Sequence, residues 1–264
     1  MTKTVAQTAL ITGASSGIGK AMARIFAKGF IDLVLVARRE EALQELKTEL
    51  ETQHGIRVHV LAEDLSDPQA PTRIIEYTQT QNLFIEYLVN NAGFGSYGFF
   101  IDTDWQHEQD MLQVNIHALT ALTKHYAREM GKKQYGRILN VASTAAFQPG
   151  PLMAVYYATK HYVLAFSEAI ANELKDKQIT VTALCPGPTA SEFQSTANAE
   201  ESKLFKNKKL PTSEEVAEYG YKMMMKGKTV AIHGGVNKLM ATSVRFLPRK
   251  WVTQIVRIVS EQAS

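Results

Sequence analysis

The chain has 264 residues, 45% of them hydrophobic and 21% charged, which is typical of a globular protein of one or two domains. The formal net charge of +3 is too small to indicate a nucleic-acid partner, and the single cysteine, Cys185, excludes a disulfide within the chain. The first residues lack the apolar core of a signal peptide, and no run of about 18 apolar residues occurs. We therefore expect a cytoplasmic protein without a membrane span.

A short apolar run at residues 8–11 leads directly into a glycine-rich turn and then into a helical pattern that continues to Lys28. Glycines permit close approach of the backbone, and the free N–H groups at a helix N-terminus attract a pyrophosphate. Strand, glycine turn and helix in this order therefore predict a phosphate-binding loop, with a plain chain turn as the alternative. The predicted contacts are Gly13, Ser15, Ser16, Gly17, Ile18 and Gly19.

The second apolar run, residues 33–36, ends in two arginines, Arg38 and Arg39, before an amphipathic helix. An acidic residue after this strand would accept a hydrogen bond from the ribose 2′-hydroxyl of NAD, whereas arginine accommodates the 2′-phosphate of NADP. The sequence therefore predicts NADP(H), with Arg38 preferred over Arg39 as the phosphate contact. Solvated charges at a helix start are the alternative, which is less favourable because cations there oppose the helix dipole.

Four further apolar runs alternate with helical patterns, at residues 58–62, 87–89, 137–142 and 179–184. Apolar strands alternating with helices predict a parallel sheet covered on both faces. We expect a doubly wound α/β fold with these strands in one parallel sheet. Ligands bind at the carboxyl ends of such strands. The residues that follow strand ends are Gly13, Arg38, Asp64, Asn91, Ser143 and Pro186.

Tyr156 and Lys160 lie four residues apart at the start of a predicted helix, so they share one helix face. A phenol with its ordinary pKa near 10 exchanges protons poorly at neutral pH, and a neighbouring ammonium lowers that pKa. Ser143 precedes the helix and can offer a hydroxyl to the same substrate oxygen. The set suits interconversion of a carbonyl and an alcohol. Chance occurrence of Tyr-x-x-x-Lys is the alternative, and the phosphate-binding loop upstream favours function.

Taken together, these motifs resemble the short-chain dehydrogenase/reductase family. The motifs that carry the resemblance are Thr12-Gly-Ala-Ser-Ser-Gly-Ile-Gly19, Asn90-Asn-Ala-Gly93, Asn115, Ser143, Tyr156-x-x-x-Lys160 and Pro186-Gly187. Their order and spacing match from residue 5 to about residue 235, and residues 234–249 are similar to a DltE-type branch related to 3-ketoacyl and hydroxysteroid reductases. The resemblance implies a single doubly wound Rossmann-type α/β domain over residues 1–264 with a seven-stranded parallel sheet.

The resemblance implies four catalytic residues: Asn115, Ser143, Tyr156 and Lys160. Tyr156 would exchange a proton with the substrate oxygen, and Ser143 would hydrogen-bond that oxygen. Lys160 would hold the nicotinamide ribose and lower the pKa of Tyr156, while Asn115 would kink its helix and hold a water that relays protons.

The resemblance also implies cofactor contacts at the ends of three strands. Asp64 would meet the adenine amine and Leu65 would flank the ring. Asn91, Ala92 and Gly93 would pack against the adenine-side ribose, and Pro186, Gly187 and Thr189 would face the nicotinamide.

The segments expected to hold the substrate are less regular. Residues 94–100 and 147–153 carry large apolar side chains beside glycine or proline, which predicts an apolar site for an acyl, steroid-like or aromatic ketone. The long connection at about 188–212 is a predicted lid. Its lysines, Lys203, Lys206, Lys208 and Lys209, are interpreted as solvated surface, with contact to an anionic substrate group as the alternative.

The tail from about residue 236 to residue 264 predicts a helical extension with an apolar stripe flanked by basic residues. We expect it to pack on its own domain or on a partner subunit, with contact to an anionic membrane as the alternative.

The sequence thus predicts an NADP(H)-dependent oxidoreductase that acts on a small-molecule carbonyl or alcohol. An NAD-linked alcohol dehydrogenase with the same residues, or an NADP-binding regulator without turnover, are the alternatives, although a pure binder needs no acid such as Tyr156. The seven histidines show no ligand-like clustering, so we expect no metal. A homodimer or homotetramer is the expected assembly.

Overall fold

A computed structural model describes residues 7–193, residue 197 and residues 210–261 of the chain. Seven parallel strands form one sheet in the order β3-β2-β1-β4-β5-β6-β7. The strands are β1 (Thr8–Thr12), β2 (Asp32–Ala37), β3 (Val58–Ala62), β4 (Tyr87–Asn90), β5 (Gly136–Val141), β6 (Ile179–Cys185) and β7 (Val230–Ile232). The predicted seven-stranded, doubly wound α/β fold is confirmed.

Helices cover both faces of this sheet because the strand residues are apolar on both sides. The helices of the described residues are α1 (Gly17–Lys28), α2 (Glu40–His54), α3 (Ala70–Thr80), α4 (Trp105–Leu112), α5 (Leu119–Lys133), α6 (Ala154–Leu174), α7 (Ser213–Met225), α8 (Gly235–Ser243) and α9 (Arg249–Ser260). Ile11 of β1 packs in one core with α1, α2 and α7, whereas its neighbour Leu10 packs in the other with α3 and α5. Because successive side chains along a strand point to opposite faces of the sheet, each strand contributes apolar side chains to both cores.

The sequence predicts one helix from about Asp104 to Met130, and the structure interrupts it. A π-helical turn at Gln113–Ala118 separates α4 from α5. Such a turn holds an extra residue and occurs frequently at functional sites. Asn115 lies in this turn and is almost fully buried. Such turns are one recognised cause of helix kinks, and the kink that the family resemblance implied at Asn115 stays a prediction.

The C-terminal helices pack on the rest of the chain. Val252 and Val256 of α9 enter an apolar cluster with Tyr157, and the Tyr97 hydroxyl donates to the Ser260 carbonyl at 2.8 Å. The expected packing of the tail on its own domain is therefore observed. None of the helices within the described ranges is both long enough and apolar enough to span a membrane. Most of the predicted lid, with Lys203, Lys206, Lys208 and Lys209, lies outside the described residues.

Candidate active site

The glycine turn between β1 and α1 has the backbone that its sequence predicts. Gly13 and Gly17 have φ angles of 65° and 54°, a region that favours glycine. A Cβ on Gly13 would lie 2.8 Å from Asn91 Nδ2, and a Cβ on Gly19 would overlap the Gly13 carbonyl. Asn91 Nδ2 donates to the carbonyls of Thr12 and Gly13, at 2.9 and 3.1 Å. Asn91 thus fixes the turn at the N-terminus of α1, where backbone N–H groups attract anions.

Two arginines flank this turn and have different partners. Arg38 Nη1 lies 4.0 Å from Asp64 Oδ2, and its side chain is 67% exposed. Arg39 contacts the Ser15 hydroxyl at 3.3 Å and forms a bidentate ion pair with Glu192, at 2.8 and 3.1 Å. The hydrogen bond from Arg39 lowers the pKa of the Glu192 carboxyl. Both predicted 2′-phosphate contacts therefore line the same cavity as the glycine turn, and Arg39 already holds the Glu192 carboxylate.

Tyr156 and Ser143 meet below the glycine turn, at the carboxyl end of β5. Tyr156 lies in the first turn of α6 and is only 8% exposed. Burial raises the pKa of Tyr156 well above its ordinary value of 10, and the hydrogen bond with Ser143 opposes that rise in part. This raised pKa contradicts the lowering expected from Lys160, because desolvation of the phenolate is its dominant cause.

Lys160 extends from the next turn of α6 into the protein interior. Its Nζ donates to the Val141 carbonyl at 2.9 Å and lies 5.7 Å from the centre of the Tyr156 ring. Burial lowers the pKa of Lys160 from 10.5 to about 8, with the Cys185 thiol acting weakly in the opposite direction. The pair therefore consists of a phenol that holds its proton tightly and an ammonium that holds its proton loosely.

Asn115 and Gly93 complete the inner wall beside Lys160. Asn115 Oδ1 accepts from the Phe94 N–H at 3.2 Å, and its Nδ2 donates to the Phe94 carbonyl at 3.0 Å and to Thr159 Oγ1 at 3.1 Å. A Cβ on Gly93 would lie 2.9 Å from Asn115 Oδ1 and 3.3 Å from Lys160 Nζ. The absence of a side chain at Gly93 therefore allows the loop after β4 to lie close to the π-helical turn and to α6.

A cavity of about 1000 Å³ follows the carboxyl ends of the strands. It brings together most of the predicted site residues: Gly13, Ser15, Ser16, Gly17, Ile18, Arg38, Arg39, Asp64, Leu65, Asn91, Ala92, Gly93, Ser143, Tyr156, Lys160, Pro186, Gly187 and Thr189. Gly19 lies beneath the turn and Asn115 lies behind Lys160, so neither lines the cavity directly. Its volume is at the upper end of the usual range for ligand sites, about 300–1000 Å³.

The other half of the cavity is apolar and largely unpredicted in its details. Phe94 and Met153 come from the two segments expected to hold substrate, whereas Phe193, Met240 and Val256 come from later parts of the chain. The Phe193 ring lies 5.2 Å from the Tyr156 ring, centre to centre. Helices α8 and α9 therefore form one wall of the cavity. The C-terminal tail thus lines the site as well as packing on the domain.

Sequence reasoning missed Glu192, Phe193 and Asn237 as site residues. Asn237 Nδ2 donates to the His233 carbonyl at 2.8 Å and occupies the space beside Gly187, where a Cβ would lie 2.5 Å from it. Glu192 and Phe193 lie in the connection predicted as a lid, and Asn237 lies in the predicted helical extension. None of the three was singled out, because they follow the last motif and have no fixed spacing to it. Within the described ranges no three His, Cys, Asp or Glu side chains cluster as metal ligands.

The sheet order, the glycine turn at a helix N-terminus and the cavity along the strand ends define a dinucleotide-binding α/β protein. A family model described as short chain dehydrogenase matches residues 7–202. The chain belongs to the short chain dehydrogenase family of oxidoreductases, as the sequence motifs predicted. The narrower DltE-type assignment stays a prediction.

Hydroxysteroid dehydrogenases are among its relatives. The chain is 33% identical to a 7beta-hydroxysteroid dehydrogenase of Clostridium sardiniense over 184 residues, 69% of either protein. A solved structure of a short-chain dehydrogenase from Sphingobium yanoikuyae in complex with NADPH matches with a TM-score of 0.81 and 29% identity, over 98% of both chains. A solved 7beta-hydroxysteroid dehydrogenase matches with a TM-score of 0.85 and 26% identity, over 95% of this chain and 96% of the other.

Proposed function

We propose that this protein is an NADP(H)-dependent oxidoreductase that interconverts a ketone and a secondary alcohol on an apolar, steroid-like substrate. The observation that carries the proposal is the convergence of Ser143, Tyr156 and Lys160 in the same cavity as the glycine turn and the two arginines. The hydroxysteroid dehydrogenase relatives and the NADPH-bound neighbour support the substrate class and the coenzyme. A binder without turnover would need the turn and the arginines but no buried phenol.

The residues of the cavity fit this coenzyme. Gly13 and Gly17 keep the backbone open at the N-terminus of α1, so the loop from Gly13 to Ile18 would hold the pyrophosphate. Arg38 and Arg39 would hold the 2′-phosphate, because guanidinium groups suit phosphate oxygens. The remaining contacts would come from Asp64, Leu65, Asn91, Ala92, Gly93, Tyr156, Lys160, Pro186, Gly187 and Thr189. When bound, the nicotinamide supplies or accepts the hydride.

The chain's own residues would handle the proton. At neutral pH Tyr156 is protonated, since burial raises its pKa, and it would donate that proton to the substrate oxygen while Ser143 hydrogen-bonds the same oxygen. Negative charge then develops on the Tyr156 oxygen. The Lys160 ammonium, held toward the ring by the Val141 carbonyl, would stabilise that charge in a site from which water is largely excluded.

Asn115 would act by position. Its amide joins the loop after β4 to α6 through Phe94 and Thr159, which holds the wall beside Lys160 in place. The relay water implied by the family resemblance stays a prediction.

The direct test is a panel of steroid, aromatic and long-chain acyl ketones, with NADPH consumption followed by absorbance. We expect turnover of at least one bulky apolar ketone and a loss of about 10²–10⁴-fold in that turnover for Tyr156→Phe. Faster turnover with NADH would instead favour the NAD-linked alternative, and coenzyme binding without turnover of any ketone would favour the binder. A homodimer or homotetramer in the cytoplasm is part of the proposal, and sedimentation velocity tests the assembly.

A further inference from the structure

The C-terminal surface, which we define as the outward side of α8, the turn Val244–Phe246 and α9, concentrates exposed apolar side chains. Of the fifteen large apolar side chains that are exposed within the described residues, nine lie between residues 236 and 259. Phe246 is 83% exposed and Trp251 is 61% exposed. A concentration of exposed apolar side chains in one segment points to an interaction surface.

Helix α9 carries two apolar stripes, and only one of them is used for folding. Val252 and Val256 are buried against the cluster that contains Tyr157. Trp251, Ile255 and Ile258 are spaced by four and three residues, so they form a neighbouring stripe, and each is more than half exposed. The second stripe has no role in the core of the described chain.

The charge of this surface has one sign. Residues 234–260 contain no Asp or Glu and five basic residues: Lys238, Arg245, Arg249, Lys250 and Arg257. The whole chain has a formal net charge of +3, so a stretch of +5 leaves −2 for the remainder. Glu261 follows directly and pairs with Arg257 at 3.3 Å. Four basic residues on an apolar surface remain available to an anionic partner.

We propose that the C-terminal surface docks on an anionic lipid bilayer. Trp251 and Phe246 would enter the headgroup region, and Arg249 and Lys250 would lie at the level of the lipid phosphates, an arrangement typical of interfacial helices. A second copy of the chain fits less well, because a two-fold contact would place the same four available basic residues of each copy against one another. The chain's own residues 198–209 carry four lysines and two glutamates, so they too have the same sign.

The docking surface is continuous with the mouth of the active-site cavity. Met240, Ile255 and Val259 line the cavity and are also 51%, 52% and 39% exposed. If the proposed function holds, an apolar ketone dissolved in the bilayer would enter the site from the membrane without crossing water. Bilayer docking itself does not depend on turnover, so the two proposals fail independently.

The test is sedimentation of the full chain with vesicles. We expect binding to phosphatidylcholine vesicles that contain about 30% phosphatidylserine, little binding to phosphatidylcholine alone, and release in about 1 M salt. Arg249→Gln with Lys250→Gln should lower the partition coefficient about thirtyfold, since each cation near an anionic surface strengthens binding by about fivefold. Lys226→Gln with Lys228→Gln, two exposed lysines after α7, is the matched control and should bind like the wild type.

A second readout reports the depth of insertion. The chain has two tryptophans, so Trp105→Phe leaves Trp251 as the single indole. Its emission should shift to the blue with phosphatidylserine vesicles. Absence of wild-type binding, equal loss in the double variant and its control, or unchanged Trp251 emission in the bound state would each overturn the proposal. So would a change of oligomeric state in the double variant without vesicle binding by the wild type, which would identify the surface as a subunit interface.

Discussion

Replacing Lys160 with methionine tests the electrostatics of the site through protein stability. Burial lowers the pKa of Lys160 from 10.5 to about 8. Each tenfold loss of proton affinity corresponds to about 1.4 kcal/mol, so the buried ammonium opposes folding by about 3 kcal/mol near pH 7. Methionine keeps the unbranched chain but loses the hydrogen bond from the ammonium to the buried Val141 carbonyl, at a cost of about 2 kcal/mol. We expect Lys160→Met to be about 1 kcal/mol more stable than the wild type.

The sign of the pH dependence follows from the two pKa values of Lys160. The folded chain releases this proton near pH 8 and the unfolded chain near pH 10.5. Between them the unfolded chain binds more protons, so the stability of the wild type rises with pH in that window. The advantage of the variant should be full below about pH 8, shrink above it and reverse before pH 10.5, where only the lost hydrogen bond remains.

The assay is urea unfolding followed by circular dichroism, near pH 7 and near pH 10, with no coenzyme present because ligand binding would stabilise the folded state. Lys226→Met, at an exposed lysine, is the control and should change stability little at either pH. A Lys160→Met protein less stable than the wild type near pH 7, or a difference equal at both pH values, would refute the reasoning. The variant should also lose turnover, because the buried Lys160 ammonium that lowers stability is the group proposed to stabilise charge on the Tyr156 oxygen.

Three further predictions concern the coenzyme and the proton. Tyr156→Phe should lower ketone reduction by at least about 10²–10⁴-fold while NADPH binding, measured by coenzyme fluorescence, changes little; retained turnover would contradict the role of the phenol. Arg38→Asp should shift preference from NADPH toward NADH in the ratio of kcat/KM values, and an unchanged ratio would remove Arg38 from the 2′-phosphate site. Glu192→Gln should tighten NADPH binding by up to about fivefold, because Arg39 loses a half-exposed ion pair that competes with the phosphate, while NADH binding stays constant.

The parts of the fold that could be predicted depend on local pattern. Apolar runs identified six strands to within two residues at either end, and the glycine spacing located the turn at Gly13. β7 has three residues, only one of them fully buried, which is too short for a periodicity to register. The π-helical turn around Asn115 was visible only as continuous helical spacing, because one extra residue in a long helix barely alters the pattern.

The unpredicted parts of the site depend on contacts between distant residues. The pair of Arg39 and Glu192 joins positions 153 residues apart, and nothing in the sequence between them indicates the contact. The pKa of Tyr156 was predicted in the wrong direction because the sequence reveals the nearby cation and hides the depth of burial. The wall formed by α8 and α9 likewise depends on where the tail returns to the sheet.

The π-helical turn at Gln113–Ala118 also constrains the length of the chain. Successive residues of an α-helix advance by about 100° around the axis, so the extra residue sets α4 and α5 out of phase by about that angle. Deleting one residue would restore regular winding and swing Leu122 and Tyr126 away from the core they now fill. The segment should therefore accept many substitutions on its outer side but no insertion or deletion, because the number of residues between α4 and α5 sets which side chains of α5 face the core.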